Sequence, residues 1–205
     1  MTPRRIRRIA TSAALASALL AASSCSLAGL ATDRGTSPTP AASGGPTASV
    51  EQARARVLSA RGAPSGLKLL HLKRSEPTPG ADAGWRGGWT TQSLVLPPGA
   101  QHDGWEWAQS TVNVYANAAS AASAFDVTKA YAVSTYAGNA RETDPGIGDS
   151  SVAIEATRNV PDVTVLWRED NLVVELAGYG GPPLTNDDVV DLARALASAR
   201  MPTAP

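Results

Sequence analysis

The sequence predicts an α+β domain: a largely antiparallel sheet of about six strands, with a crossing helix and a C-terminal helix packed on one face. Two observations predict it. Segments with alternating apolar residues are separated by Gly, Pro, Asp and Asn turns, which is typical of strands. Two later segments place apolar residues at helical spacing instead. Strands that are interrupted by one helix and closed by another indicate the α+β class.

A short helix is expected to open the domain. Ser49 precedes Gln52 by three residues, which is a capping-box pattern because each side chain can bond the other residue's backbone N–H. Gly62 and Pro64 are expected to end this helix, since neither residue continues a helix readily.

Six strands are expected after that helix, and the last two form the clearest hairpin. Val163, Val165 and Trp167 share one face of a strand, as do the alternating residues of the next one. Residues 169–171 are expected to join these strands as a tight turn. The six predicted segments are 67–74, 85–96, 105–115, 151–157, 162–167 and 172–177.

Two longer helices complete the predicted elements. Alanines at helical spacing and Phe125 predict a helix over 117–133 that crosses the sheet. The last helix begins at Thr185, whose hydroxyl can cap it, with Asp188 three residues on. Leu184 and Val189 are placed as a hydrophobic staple at its start.

The first 24 residues are interpreted as a secretion signal. Four arginines within residues 4–8 precede an alanine-rich apolar run over 9–22, and small residues follow. A spanning helix needs about 20 predominantly apolar residues. The run here is shorter and is followed by no basic stop-transfer cluster, so a cleaved signal is favoured over a permanent transmembrane helix.

The sole cysteine, Cys25, ends this segment and is the predicted lipid-attachment site. Ala22-Ser23-Ser24-Cys25 resembles a bacterial lipoprotein box, which implies a diacylglyceryl group, with acyl chains such as palmitate, on the sulfur of what becomes the mature N-terminus. Ala22 stands where that family usually has leucine. An ordinary signal cleavage, with free secretion, therefore stays open as an alternative. Two acyl chains hold a protein firmly to a bilayer, whereas one holds only marginally.

Composition limits the partners and the domain organisation. Removing the signal with its four arginines leaves 14 basic against 18 acidic residues, a net charge of −4. Such a balance excludes an electrostatic footprint for nucleic acid. Residues 25–49 are a Ser-, Thr-, Ala-, Gly- and Pro-rich tether that is expected to be disordered, with a reach of about 25–30 Å. Residues 50–202 are the length of one domain.

Four of the five tryptophans are the candidate ligand-binding residues. Trp105 and Trp107 alternate onto one face of a predicted strand, and Trp85 and Trp89 are expected to share a face of its neighbour. Indole rings stack on flat ligands such as sugars and keep an N–H for hydrogen bonding. The alternative, which the single phenylalanine favours, is that these rings fill the core.

The sequence indicates no catalytic residue, metal site or cofactor. His102 follows Pro97-Pro98-Gly99 and is interpreted as part of a solvated turn, since no G-x-S-x-G nucleophile motif accompanies it. Residues 142–149 do not match an EF-hand. They are interpreted as a turn in which Asp149 bonds local backbone. One cysteine also excludes an intramolecular disulfide.

The order of four segments resembles a group of actinobacterial proteins. These are residues 121–125 in a helix, Pro-Gly-Ile-Gly-Asp at 145–149, the hairpin 164–176 and Leu-Ala-Arg-Ala-Leu at 192–196. This order is similar to small actinobacterial lipoproteins and sensor-type extracytoplasmic domains, some of which have a PsbP/Mog1-like fold. The resemblance implies an α+β module that is mostly non-enzymatic, and it carries over no catalytic residue.

Taken together, the sequence predicts a non-catalytic binding or accessory module of the cell envelope. Acylated Cys25 would anchor it in the bilayer at the extracytoplasmic face of the cell membrane. Its partner is a small molecule, a wall component or a protein. The alternatives are an envelope hydrolase with an unrecognised site and a freely secreted binding protein.

Overall fold

The computed structural model describes residues 47–95, 103–136, 138–157 and 161–199. All of them belong to one compact unit, Ser43–Pro205. Its centre is a seven-stranded sheet with the strand order β1-β2-β3-β7-β6-β5-β4, in which every neighbouring pair is antiparallel. The α+β class is therefore confirmed. Cys25 and the residues predicted as signal peptide lie outside the described residues, as does His102.

The strands agree closely with the six that the alternation predicts, and one more is present. The additional strand, β4, spans four residues that show no alternation of apolar and polar side chains, so its sequence carries no strand signal. The strands are β1 Leu67–Arg74, β2 Trp85–Val95, β3 Trp105–Tyr115, β4 Ala140–Thr143, β5 Ser150–Ala156, β6 Asp162–Glu169 and β7 Leu172–Gly180.

Among the described residues, three α-helices accompany the sheet: α1 Val50–Ala53, α2 Ala118–Thr135 and α3 Asn186–Ser198. Two of them begin at the predicted capping boxes. At α1 the Ser49 and Gln52 side chains each accept a hydrogen bond from the other residue's backbone N–H, at 3.2 and 2.9 Å. Thr185 and Asp188 make the same reciprocal pair at the start of α3. The first helix is shorter than expected, because one 3₁₀ turn follows it and the chain is extended again at Val57.

The helices cover both faces of the sheet, so the expectation that they pack on one face is wrong. Val163, Val165 and Trp167 pack with α1 and α3 in one cluster of buried residues. Leu166 and Val173 pack with α2 in a second cluster. Successive side chains of a strand point to opposite faces. The two clusters therefore lie on opposite sides of β6 and β7. We call these sides the α3 face and the α2 face.

A buried arginine joins the elements of the α3 face. Arg56, which is 4% exposed, forms an ion pair with Glu169 at the end of β6, in which its Nη2 donates to both carboxylate oxygens at 2.7 and 2.8 Å. Its guanidinium also donates to the carbonyl oxygens of Leu196, Ala197 and Ala199 at the end of α3. The Ala197 and Ala199 carbonyls lie at and just after the last turn of the helix, where intrahelical partners are missing. One cation therefore links the chain after α1 to the end of α3 and to the β6–β7 hairpin.

Replacing this arginine should destabilise the domain strongly. Arg56→Ala leaves the Glu169 carboxylate and the terminal carbonyls of α3 without their donor. We expect the free energy of unfolding to fall by about 3–5 kcal/mol, as when one partner of a buried ion pair is removed. Urea denaturation of the full chain measures the change. The control is Arg61→Ala at an exposed position, which should change stability by less than about 0.5 kcal/mol. Equal effects of the two substitutions would contradict this assignment.

Candidate functional site

The four candidate tryptophans do not share faces as the sequence predicts. The pairing of β2 with β3 shifts between Trp85 and Gly87, and that of β3 with β7 shifts between Trp105 and Trp107. A β-bulge inserts one extra residue, and a shift of one residue moves side chains to the opposite face. Trp85 and Trp107 therefore lie on the α2 face, whereas Trp89 and Trp105 lie on the α3 face. The expected shared faces are wrong, and the four rings form no single platform.

Three of these rings have packing contacts or hydrogen bonds within the fold, so a ligand is not needed to account for their presence. Trp105 is buried against Gly178 of β7, where a Cβ atom would come within 2.7 Å of the indole ring. The indole N–H of Trp85 donates to the Asn113 side-chain oxygen at 3.1 Å. Trp89 donates to the Val50 carbonyl at 2.8 Å, and the Arg74 guanidinium lies 3.9 Å from its ring centroid. Such a cation–π contact stabilises the packing of β1 against β2.

Trp107 differs from the other three, because it lies on a part of the α2 face where β1, β2 and β3 are polar. It is directly opposite Tyr179 of β7, which is 38% exposed. Two rows of side chains continue this surface across the strands. The first row consists of Gln92 on β2, Gln109 on β3 and Ala177 on β7, which are opposite one another. The second row consists of Thr90, Thr111 and Glu175 on the same three strands.

Between this polar surface and helix α2 lies a cavity of about 270 Å³, which we call the α2 cleft. Helix α2 packs mainly over β3, β5, β6 and β7. Its apolar partners lie on the β5–β7 side, and the cleft begins where those partners end. Strand residues form the floor, helix residues form one wall and a loop after β1 closes one end. The lining residues are Gln109, Thr111, Asn113, Thr164 and Glu175; Thr128, Tyr131, Ala132 and Thr135; and Glu76, Pro77, Thr78 and Pro79.

Glu175 is a partly buried charge in the floor of this cleft. It is opposite Thr111 on one side and opposite the fully buried Leu166 on the other. Burial raises the pKa of its carboxyl above the ordinary value, because removal from water disfavours the charged form. Within the described part of the chain, the Glu175 carboxylate has neither a hydrogen bond nor an ion pair.

Some of the remaining polar side chains of the cleft already form hydrogen bonds within the protein, and others do not. The Asn113 side-chain oxygen accepts from Ser75 and Trp85, so its amide nitrogen remains as a donor. The Thr164 hydroxyl is bonded to Tyr136 at 3.0 Å. Burial raises the pKa of Tyr136 to about 12, so this phenol is neutral and acts as part of the wall's hydrogen-bond network. The side chains of Gln109 and Tyr131 make no hydrogen bond to other described residues.

A second depression of about 280 Å³ continues the cleft across β1 to β3. It shares Glu76, Gln109 and Thr111 with the α2 cleft and adds Lys73. Arg74 also lines it, but its guanidinium is held by Trp89 and Glu51 on the α3 face. The polar surface is therefore continuous from the helix to the edge strand of the sheet, with Lys73 at that edge.

A larger cavity on the other face is a weaker candidate. It has a volume of about 570 Å³ and lies beside Trp105 and the start of α3. Its two carboxylates already have partners in the fold. Asp188 caps α3, and its bonds with Thr185 lower the pKa of its carboxyl. Asp103 accepts a hydrogen bond from Ser65 at 3.0 Å.

The loop before β5 forms the predicted turn, with one difference in its bonding. Asp144 accepts from the Gly146 N–H and the Ser151 hydroxyl, and these bonds lower the pKa of its carboxyl. Asp149 pairs with Arg168 at 3.1 Å and accepts from the Asp170 N–H at 2.9 Å. It therefore bonds the distant β6–β7 hairpin rather than local backbone. Across the described residues, no three His, Cys, Asp or Glu side chains are grouped to hold a metal ion.

Sequence reasoning missed Glu175, although a signal was present. In the segment Leu-Val-Val-Glu-Leu of β7 it is the single charged residue within an otherwise apolar run. Such a run indicates a strand that is buried on both faces. A carboxylate inside such a strand costs stability unless something pairs with it, and that cost marks it as a candidate functional group.

The comparisons with known proteins add little about function. No protein-family model matches the chain, and no curated protein matches it. Among solved structures, the extracellular domain of PknH from Mycobacterium tuberculosis is similar, with a TM-score of 0.46 and 15% sequence identity. The match covers 73% of this chain and 97% of that chain. At this identity and TM-score, the similarity implies neither a shared function nor equivalent site residues. None of the helices in the described ranges has the length and apolar character to cross a membrane.

The pKa of Glu175 predicts an unusual dependence of stability on pH. The native carboxyl binds its proton more tightly than the unfolded one, so the chain loses stability as pH rises from the unfolded pKa through the raised native pKa. Glu175→Gln removes that loss. The variant should unfold at a higher temperature than the wild type at neutral pH, and the difference should vanish at acidic pH.

Thermal unfolding followed by circular dichroism at several pH values measures this difference. Glu106→Gln removes one negative charge from an exposed position of the same sheet and serves as the matched control. A wild type more stable than Glu175→Gln at neutral pH would show that the carboxylate has a stabilising partner.

Proposed function

We propose that the chain is a non-catalytic binding module that is anchored by lipid at the extracytoplasmic face of the cell membrane. Three features of the sequence support the location: the basic and apolar signal, Cys25 at its end and the polar tether that follows. The net charge of −4 without the signal does not favour attraction to anionic lipid. Attachment therefore depends on acyl chains.

The observation that carries the binding role is the α2 cleft. Binding sites are concave and contain a few polar groups that fix the ligand's orientation. Here the side chains of Glu175, Gln109 and Tyr131 line a cleft while making no hydrogen bond to other described residues. The lining residues include neither histidine nor cysteine, the residue types that most often act as base or thiol nucleophile.

An envelope hydrolase is the second candidate, because two carboxylates line the same cleft. Glycosidases use a pair of carboxyl groups, and the acid of the pair has a raised pKa. Glu175 fits the acid and Glu76 fits the second carboxylate. Release of reducing ends from purified wall polymer by the wild type, and not by Glu175→Gln, would establish the hydrolase in place of the binding module.

The lipid anchor is tested by metabolic labelling. Cells that express the wild type and are fed an alkyne analogue of palmitate should incorporate the label into this chain, whereas Cys25→Ala should not. The variant should also leave the membrane fraction, because no other hydrophobic anchor is proposed. Unlabelled wild-type protein in the culture medium would establish the freely secreted alternative.

The binding role is tested by filling the cleft. Thr111 lies in its floor, and Thr111→Trp adds an indole there, while Ser134→Trp adds the same ring at an exposed position of α2. A low-molecular-mass fraction of hydrolysed cell wall should raise the melting temperature of the wild type and of Ser134→Trp. It should not raise that of Thr111→Trp. Equal responses of both variants would contradict binding in the α2 cleft.

A further inference from the structure

Glu175 is exceptional in what surrounds it. The other partly buried carboxylates of the described chain have a cation or a hydrogen-bond donor beside them: Glu169 pairs with Arg56, Glu155 accepts from Asn186, and Asp162 accepts from Tyr136. Glu175 lies in the floor of the α2 cleft with no such partner among the described residues. A buried carboxylate without a cation is costly for the fold. Because Glu175 lines the cleft, a partner from solution can reach it there.

The neighbours of Glu175 define two sides of a site. On one side, Leu166 is fully buried under α2 and offers nothing polar. On the other side, Thr111 and its row partner Thr90 bond each other through their hydroxyls at 2.9 Å. The charge of Glu175 is therefore not balanced from within the sheet. Glu76 at the rim is also acidic, and it adds to the negative character of this end of the cleft.

The groups around the carboxylate are uncharged donors and acceptors. The Asn113 amide nitrogen is available as a donor, because its oxygen is held by Ser75 and Trp85. The Gln109 amide and the Tyr131 hydroxyl have no other hydrogen bond within the described residues. Such groups match the hydroxyl and carbonyl oxygens of a ligand rather than a second charge. A cavity of about 270 Å³ limits the bound part to about one sugar ring.

We infer that the α2 cleft binds a hydroxylated primary amine, with the ligand's ammonium group on Glu175 and its hydroxyl groups on Asn113 and Gln109. An amino sugar with an unacetylated nitrogen has this chemistry. The inference rests on the proposed binding function and adds the class of ligand. An ammonium group supplies the missing counter-charge and up to three N–H donors, and hydrogen bonds between charged groups are about twice as strong as neutral ones.

The test compares two sugars that differ in one group. Glucosamine carries an ammonium where glucose carries a hydroxyl, so the pair isolates the charge. Saturation-transfer NMR with the full chain in detergent micelles measures the dissociation constant of each. Glucosamine should bind the wild type at least about ten-fold more tightly than glucose, as expected for a charge-assisted hydrogen bond.

Three variants locate the effect. Glu175→Gln preserves the shape and one acceptor of the side chain. It should weaken the binding of glucosamine about ten-fold and leave the affinity for glucose unchanged. Glu106→Gln removes an exposed charge from the same sheet and should change the affinity for neither sugar. Glu76→Gln at the rim should weaken the binding of glucosamine less than Glu175→Gln does. The thermal unfolding of each variant, recorded in the same buffer, separates loss of binding from loss of folding.

Several outcomes would overturn the inference. They are equal affinity for glucose and glucosamine, unchanged glucosamine binding in Glu175→Gln, a larger loss in Glu76→Gln, and no detectable binding of glucosamine at millimolar concentration. These outcomes are distinct from failure of the proposed function. The response of the wild type and Thr111→Trp to the wall fraction decides whether the cleft binds any ligand, whichever sugar result is obtained.

Discussion

One helix cannot cover this sheet, and the candidate site follows from that constraint. An α-helix with its side chains is about 10–12 Å wide, and neighbouring strands are about 4.8 Å apart. A single helix therefore shields only part of a sheet whose described strands number seven. Helix α2 packs mainly toward the β5–β7 side of its face, where Val152, Ile154 and Leu166 are buried. Beyond the helix the same face is polar, and the α2 cleft lies at the boundary.

The opposite face, the α3 face, is covered by several short elements rather than by one helix. Helices α1 and α3 and the 3₁₀ turn pack over it, and Arg56 joins them to the sheet through Glu169 and the end of α3. Asn171 provides a second link between elements. Its side chain exchanges two hydrogen bonds with the Ala48 backbone before α1, and it donates to the Tyr115 carbonyl at the end of β3. The half-open α2 face of the described domain carries the side chains of Glu175, Gln109 and Tyr131, which make no hydrogen bond to other described residues.

Local sequence signals predicted most of the elements correctly. The capping boxes at Ser49 and Thr185, the turn between β6 and β7, and six of the strands depend on residues that are close together in the chain. Alternation and capping report on such neighbours directly. β4 was missed, since four residues are too few to show a period. The lipid anchor at Cys25 likewise rests on local sequence alone and stays a prediction.

Amino-acid order alone indicated where most of the described helices and strands begin, and which residues carry aromatic rings or charge. Only the tertiary structure decided which of those residues meet. The bulges in β2 and β3 place Trp85 and Trp89 on opposite faces, and Trp105 and Trp107 likewise. A single extra residue reverses every side chain beyond it, and no pattern within a strand reveals that residue. Glu175 was visible as a charge in an apolar strand, but its place in a cleft depends on how far α2 extends over the sheet.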